Sequence, residues 1–565
     1  MNTKLPFIEK GHTGSMKFNR QSTVSSRGVV VFYALGIFIF LGLLIVRLFH
    51  LTIVKGNYYA KLADNNRVKE ILIEPKRGTI TDRKGLVIAE NSTPNLDQQD
   101  ERVLSKRLYN FGQSMSHIIG YRQTASAEDL AEDPCVNKLR LGAKTGKKGV
   151  EQLYECDLRG VSGKKLMEVD AHGVEVRTLG VLPPQDGKDI QLAVDAVLQQ
   201  QAYDLLKGQK GAVVGLKPQT GEVLVLASAP GFDPQVFEDA DTKTTATYIE
   251  DKEEPLFNRA TEGVYPPGST FKLFVAAAGL EEKVVTPEST IEDKGVLKAG
   301  PLEFHNWYFL EYGKTDGIVD IYKSLQRSND IYYYELGGKL GPEKIRKWAE
   351  YFGFQNKSRI GLPESVGIIP SSFWKQDVLK EQWYLGDTYN LSIGQGYVTS
   401  TPLQVAVGTA AFANGGKICK PQLQKNGSDP NAKPECEKVP MKESTYTVIR
   451  EGMRQACAAG GTAYPFFDFT VNATPSASLS PTPTPEGATE SAQLIGKKRI
   501  EVGCKTGTAE SHGFQSNPHA WFTIFAPFDK PEIVLTVLVE KSGQGSDVAA
   551  PIAHDILKTY FEREE

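Results

Sequence analysis

The stretch "GVVVFYALGIFIFLGLLIV", Gly28 to Val46, constrains the chain more than any other, because it is apolar throughout and carries no charge. A helix of about 20 apolar residues spans a hydrocarbon core of roughly 30 Å, so the segment is predicted to cross a membrane. The residues before it include Lys4, Lys10, Lys17, Arg20 and Arg27 against a single acid, Glu9. Basic residues stay on the cytoplasmic side, which places the N-terminus in the cytoplasm and everything after Arg47 outside. A cleaved signal peptide is the alternative; its apolar stretch usually runs about 7–15 residues and ends at small residues, and neither condition is met.

The remainder of the 565 residues suffices for two to four folded units at about 100–200 residues each. A formal net charge of −3 argues against a polyanion partner, so no nucleic acid is expected. Cys135, Cys156, Cys419, Cys436, Cys457 and Cys504 all fall on the outer side, where disulfides persist. Their spacing leaves the pairing open, and buried free thiols remain an alternative. It is not a metal-ligand spacing, since no C-x-x-C and no histidine pair occurs, and no metal or cofactor is expected.

Apolar residues keep helical spacing through "RLFHLTIVKGNYYAKLADNNR", so the helix is expected to continue outward. From Ile71 to about Asp195 the pattern is mixed α+β, with glycine turns such as "DRKG" and "PQDGKD", and reads as a non-catalytic spacer. From Ala196 a helix precedes "GAVVGLKPQTGEVLVLASAP", a hairpin; "HAWFTIFAPFDKPEIVLTVLVE" repeats the arrangement before a last amphipathic helix. The predicted fold is therefore α+β: an antiparallel sheet flanked by terminal helices, with an all-helical insertion between its halves. The expected division is a tail over 1–27, a membrane helix over 28–48, a pedestal over 49–195 and a catalytic domain over 196–565. Residues 472–491, rich in Pro, Ser and Thr, have little to bury and are expected to be a disordered insertion.

One lysine is out of place. In "YPPGSTFKLFVAAAGL" the turn Pro266-Pro267-Gly268 opens a helix that is apolar on nearly every face, yet Lys272 sits three residues after Ser269. That spacing puts the two side chains on adjoining positions of one helix surface. Burial lowers a lysine pKa and makes it a base, and a serine hydroxyl needs a base to become a nucleophile. A snorkelling lysine beside a capping serine would produce the same short pattern.

Two further motifs resolve the choice: "RSND" with Ser328 and Asp330, and "GCKTGTAE" with Lys505, Thr506, Gly507 and Thr508. The ordered trio S-x-x-K, S-x-[ND], K-T-G marks serine acyltransferases that react with penicillin. With "RGTITDRKG", "FNRATEGVYPPGSTFK", "LSIGQGYVTSTPLQVA" and "HAWFTIFAP", the chain resembles a class B penicillin-binding protein, most of all the penicillin-binding protein 2 elongation subgroup. The resemblance implies a membrane-anchored D,D-transpeptidase that cross-links peptidoglycan stem peptides and is inhibited by β-lactams. It implies a serine transpeptidase/β-lactamase-like catalytic domain, and a multipass glycan polymerase of the shape, elongation, division and sporulation (SEDS) type as partner. Ser269 would be acylated, with Lys272 as general base, Ser328 as proton relay and Asp330 ordering the site. Lys505 and Thr506 would hold the substrate carboxylate, Gly507 would let the substrate backbone approach, and the N–H groups of Ser269 and Thr508 would form the oxyanion hole. Gln395 and Gly396 of "SIGQG" would contribute to substrate binding.

Asp330 stands where most of the family has asparagine, and Gln355 where a glycine is common, which leaves the shape of that loop open. Lys144-Thr145-Gly146 repeats the third motif within the spacer and is expected to be a solvated loop. A β-lactam sensor or hydrolase would use the same serine and lysine, but no extra glutamate motif for a deacylating water is present. A non-catalytic activator of a glycan polymerase would not need every motif residue intact.

Overall fold

A computed structural model describes residues 27–92, 106–170, 172–425, 433–472, 496–511 and 517–564. The N-terminal tail expected over 1–27 (but for Arg27) and nearly all of the 472–491 insertion lie outside the described residues. Contacts divide the chain into two units, the first made of residues up to Ile73 with Gly163–Pro183, the second of Glu74–Ser162 with Pro184–Glu565.

In the first unit, helix Arg27–Phe49 runs into a single π-helical turn, His50–Val54, and a second helix, Gly56–Arg67, follows. None of the apolar side chains between Arg27 and Val54 is buried by the protein, as a segment solvated by lipid requires. The second helix leads into an antiparallel sheet of Val68–Ile73, Gly163–Val169 and Glu175–Leu182. Glu168 on its middle strand takes Arg67 at 2.9 Å and Arg177 at 2.7 Å.

The second unit is built on a five-stranded antiparallel sheet in the order Val223–Ala229, Gly211–Leu216, Ile533–Val539, His519–Ala526, Gly503–Ala509. The two predicted hairpins are both present. Every residue of the four inner and hairpin strands is buried, which explains why they read as apolar runs instead of alternating ones. Helices Ala196–Leu205 and Ala549–Glu564 cover one face, and helix Pro402–Ala413 covers the other, with helix Lys272–Glu281 in the core cluster on that side. The insertion between the sheet halves is mainly helical and, among the described residues, also carries four short two-stranded ribbons, one of them Lys417–Cys419 with Cys436–Lys438.

The six cysteines form three disulfides, Cys135–Cys156, Cys419–Cys436 and Cys457–Cys504. The second closes its ribbon at a register pair. In the spacer part of this unit, "RGTITDRKG" contributes Arg77 to a buried ionic cluster. Arg77 reaches Glu151 and Glu155 at 2.6 Å each, Arg107 reaches Glu151 at 2.7 Å, and Arg159 joins Glu155 to Asp133.

The solvated loop expected at Lys144-Thr145-Gly146 is instead a strand, Lys144–Lys148, paired with Tyr121–Thr124. Thr145 and Gly146 are buried, the Gly146 N–H donates to Glu155, and Lys144 pairs with Glu238 at 3.0 Å. Charged ends on a two-stranded ribbon hid it from a search for apolar runs. Gln355 adopts φ 61°, the left-handed conformation that favours glycine, which a glutamine takes only at a cost in backbone strain.

Candidate active site

The turn Tyr265-Pro266-Pro267-Gly268 is pinned from three sides. Trp521 Nε1–H donates to the Pro266 carbonyl at 2.9 Å, Thr270 Oγ1 to the Pro267 carbonyl at 2.8 Å, and the Gly268 N–H to the Gly394 carbonyl at 2.9 Å. Gly394 of "SIGQG" comes so close that a Cβ there would lie 2.3 Å from the Gly268 carbonyl oxygen, which is why a glycine is required. A 3₁₀ turn, Gly268–Phe271, then presents Ser269, half-buried, to a groove of about 810 Å³, and the helix Lys272–Glu281 begins. Leu273 to Gly279 are all buried, so the turn rests on the core.

Lys272 is fully buried. Its ammonium donates to the Ser328 carbonyl at 2.7 Å, to Asp330 Oδ1 at 2.7 Å and, longer, to Ser328 Oγ at 3.4 Å, and it lies 5.4 Å from the centre of the Tyr333 ring. Among the described residues, no hydrogen bond joins it to Ser269. Lys505, equally buried, donates to Ser328 Oγ at 2.7 Å and to the Thr506 carbonyl at 3.0 Å. Two lysines thus converge on one hydroxyl. Burial lowers the pKa of Lys272, against the pull of the Asp330 charge and hydrogen bond. Burial, and then the Lys272 charge, hold Lys505 well below the ordinary lysine range, so the pair disfavours carrying two protons at once.

Ser328 takes φ 54° in the turn between helices Ile321–Gln326 and Asp330–Leu340, which aims its hydroxyl into the groove. Asn329 turns the other way: its Oδ1 caps the second helix at Tyr332 N, and its Nδ2 donates to Asp293 and Asp316. Asp330 accepts on both oxygens, from Lys272 and from the Trp307 backbone N–H at 2.9 Å. The acid in place of the usual amide therefore matches its surroundings, which offer it donors only.

The strand Gly503–Ala509 lies at the sheet edge and brings Thr506, Gly507 and Thr508 to the groove wall. A Cβ at Gly507 would lie 2.9 Å from Trp521 Cβ and 3.0 Å from Thr270 Cγ2. The glycine is thus demanded by packing of the strand against the turn that carries Ser269. Gln395 lines the groove and reaches the Thr508 carbonyl at 3.4 Å; Gly396 is exposed and is not among the lining residues. Sequence reading missed Trp307, Glu311, Thr462, Tyr464 and Gln544, which also line the groove. Only the fold brings these residues there, Trp307 and Glu311 from the short helix Trp307–Tyr312 and the others from distant parts of the chain. Gln544 donates to Glu311 at 2.8 Å and Thr462 meets Thr506 at 2.7 Å.

Residues 211–558 match the family model of the penicillin binding protein transpeptidase domain, and residues 100–192 that of the penicillin-binding protein dimerisation domain. The peptidoglycan D,D-transpeptidase MrdA of Haemophilus influenzae is 31% identical over an alignment that covers 100% of this chain and 96% of that protein. Penicillin-binding protein 2 of Pseudomonas aeruginosa, solved in complex with WCK 5153, superposes with TM-score 0.71 at 32% identity, over 87% of this chain and 96% of that one. A chain of a peptidoglycan synthase complex that coordinates polymerization and crosslinking superposes with TM-score 0.72 at 26% identity, over 96% and 99%.

Proposed function

Since the chain belongs to the penicillin-binding protein transpeptidase family, we propose that Ser269 is the nucleophile of its peptidoglycan D,D-transpeptidase activity, that Lys272 and Ser328 move its protons, that Asp330 orders the site and that Lys505 holds the substrate carboxylate. The protein is a membrane-anchored enzyme that cross-links stem peptides and is acylated by β-lactams. The observation that carries the assignment is the convergence of two buried lysines on Ser328 Oγ, at 2.7 and 3.4 Å, beside Ser269 in one groove.

In this reading Ser269 Oγ attacks the carbonyl of the D-Ala-D-Ala bond as neutral Lys272 takes its proton. The N–H groups of Ser269 and Thr508 receive the developing oxyanion. The C–N bond breaks as Ser328 passes a proton to the departing amine, releasing D-alanine and leaving the ester. An amine of a neighbouring stem then attacks the ester carbonyl, loses its proton along the same path, and restores Ser269. Lys505 and Thr506 hold the terminal carboxylate, and Gln395, with Gly396 beside it, supports the strand wall at Thr508.

Three further assignments belong to the proposal: a cytoplasmic N-terminus, the division into tail, membrane helix, pedestal and catalytic domain, and a SEDS-type glycan polymerase as partner. The likeness to a chain of a peptidoglycan synthase complex supports the last. Intact-mass analysis of the protein with a penicillin tests the nucleophile. A stable single adduct, absent in Ser269→Ala, is expected. An adduct that persists in the variant sinks the assignment, and one that turns over while drug is consumed makes the protein a hydrolase.

A further inference from the structure

Thr462 belongs to none of the three motifs, yet its hydroxyl lies 2.7 Å from the Thr506 hydroxyl at the groove wall. It is held there with some care. Helix Glu443–Ala456 ends at Cys457, which is bonded to Cys504, two residues before Thr506 on the edge strand. The returning loop is closed by Gly461 N–H to Ala458 O and Ala463 N–H to Ala456 O. Arg327, next to Ser328, donates to the Gly460 carbonyl at 3.2 Å while its guanidinium pairs with Asp316 at 3.0 Å and stacks 4.7 Å from the Tyr308 ring centre. The loop is thus tied both to the strand of the third motif and to the turn of the second.

We propose that Thr462 is a positioning and specificity residue for the terminal carboxylate of the donor peptide: it donates to Thr506, so that the Thr506 proton is left for the carboxylate. This rests on the reading of Thr506 as a carboxylate ligand. A hydroxyl that accepts one hydrogen bond while donating another to an anion is polarised in the productive direction, and the chain of two is stronger than its parts. Without Thr462, Thr506 is free to rotate its proton away. The groove then discriminates a free carboxylate from a neutral group less sharply.

The test uses the full-length protein in detergent, with benzylpenicillin and its methyl ester, comparing acylation rates by intact mass. The readout is the acid-to-ester rate ratio, which a general packing defect leaves alone. Thr462→Val is expected to lower the ratio about tenfold, Thr462→Ser to keep it, and the Thr462→Val/Thr506→Val pair to match Thr506→Val. If Thr506→Val lowers the ratio and Thr462→Val does not, or if the double variant falls by the product of the two, the relay is wrong. If Thr506→Val itself leaves the ratio intact, the carboxylate reading of Thr506 fails first. Should Thr462→Val not fold, Thr462→Ala and Thr462→Ser give the same comparison, a loss in the first against retention in the second.

Discussion

At the scale of single residues, the site works by denying water to two ammonium groups. A lysine must be neutral to receive the Ser269 proton, and burial favours that form at both Lys272 and Lys505. Acylation is therefore expected to rise with pH along a limb centred below about 10.4, the value for free lysine. Asp330 acts in the opposite sense, since its charge draws protons to both lysines. Asp330→Asn should move the limb to lower pH, and a limb displaced upward in the pH profile of the variant would contradict this electrostatic picture. The serines and lysines of the proposed machinery can be picked out in the sequence because each pair is local or part of a fixed motif. Thr462 cannot, because its partner Thr506 is 44 residues away in the chain and no motif includes it. Gly507 was legible as a glycine but not for its physical reason, which is the approach of Trp521 and Thr270.

At the scale of elements, both hairpins of the sheet were readable from apolar runs around turn residues. The spacer was not, because its order depends on charge. Glu151 is fully buried between Arg77 and Arg107, and although burial alone would raise its pKa, those guanidinium groups hold it down at about 2. Its folded pKa lies below the unfolded one, so it adds stability at neutral pH that is lost as pH falls from about 4.5 toward 2. Glu151→Gln leaves two buried arginines short of a counter-charge and should cost about 3–5 kcal/mol in denaturant unfolding. A loss below about 1 kcal/mol would mean that water replaces the carboxylate. The strand at Lys144–Lys148 hangs on the same cluster through the Gly146 N–H to Glu155 bond, so no local pattern could announce it.

At the scale of the whole molecule, the proposed cytoplasmic N-terminus puts everything after the membrane helix outside the cytoplasm. Leu141, 91% exposed, replaced by cysteine should react with a membrane-impermeant maleimide on wall-stripped, intact cells, whereas Ser15→Cys should react only after permeabilisation. The reverse labelling would invert the proposed orientation. The sheet itself has a further consequence. Its first two strands, Gly211–Leu216 and Val223–Ala229, are made long before the three that complete it, Gly503–Ala509, His519–Ala526 and Ile533–Val539. The serine at 269 and its helix thus leave the ribosome well ahead of Lys505 and the strand that walls the groove. In the proposed mechanism a growing chain is therefore expected to stay unreactive until the final strands pair beside the early hairpin, so that Ser269 of an unfinished chain is not acylated.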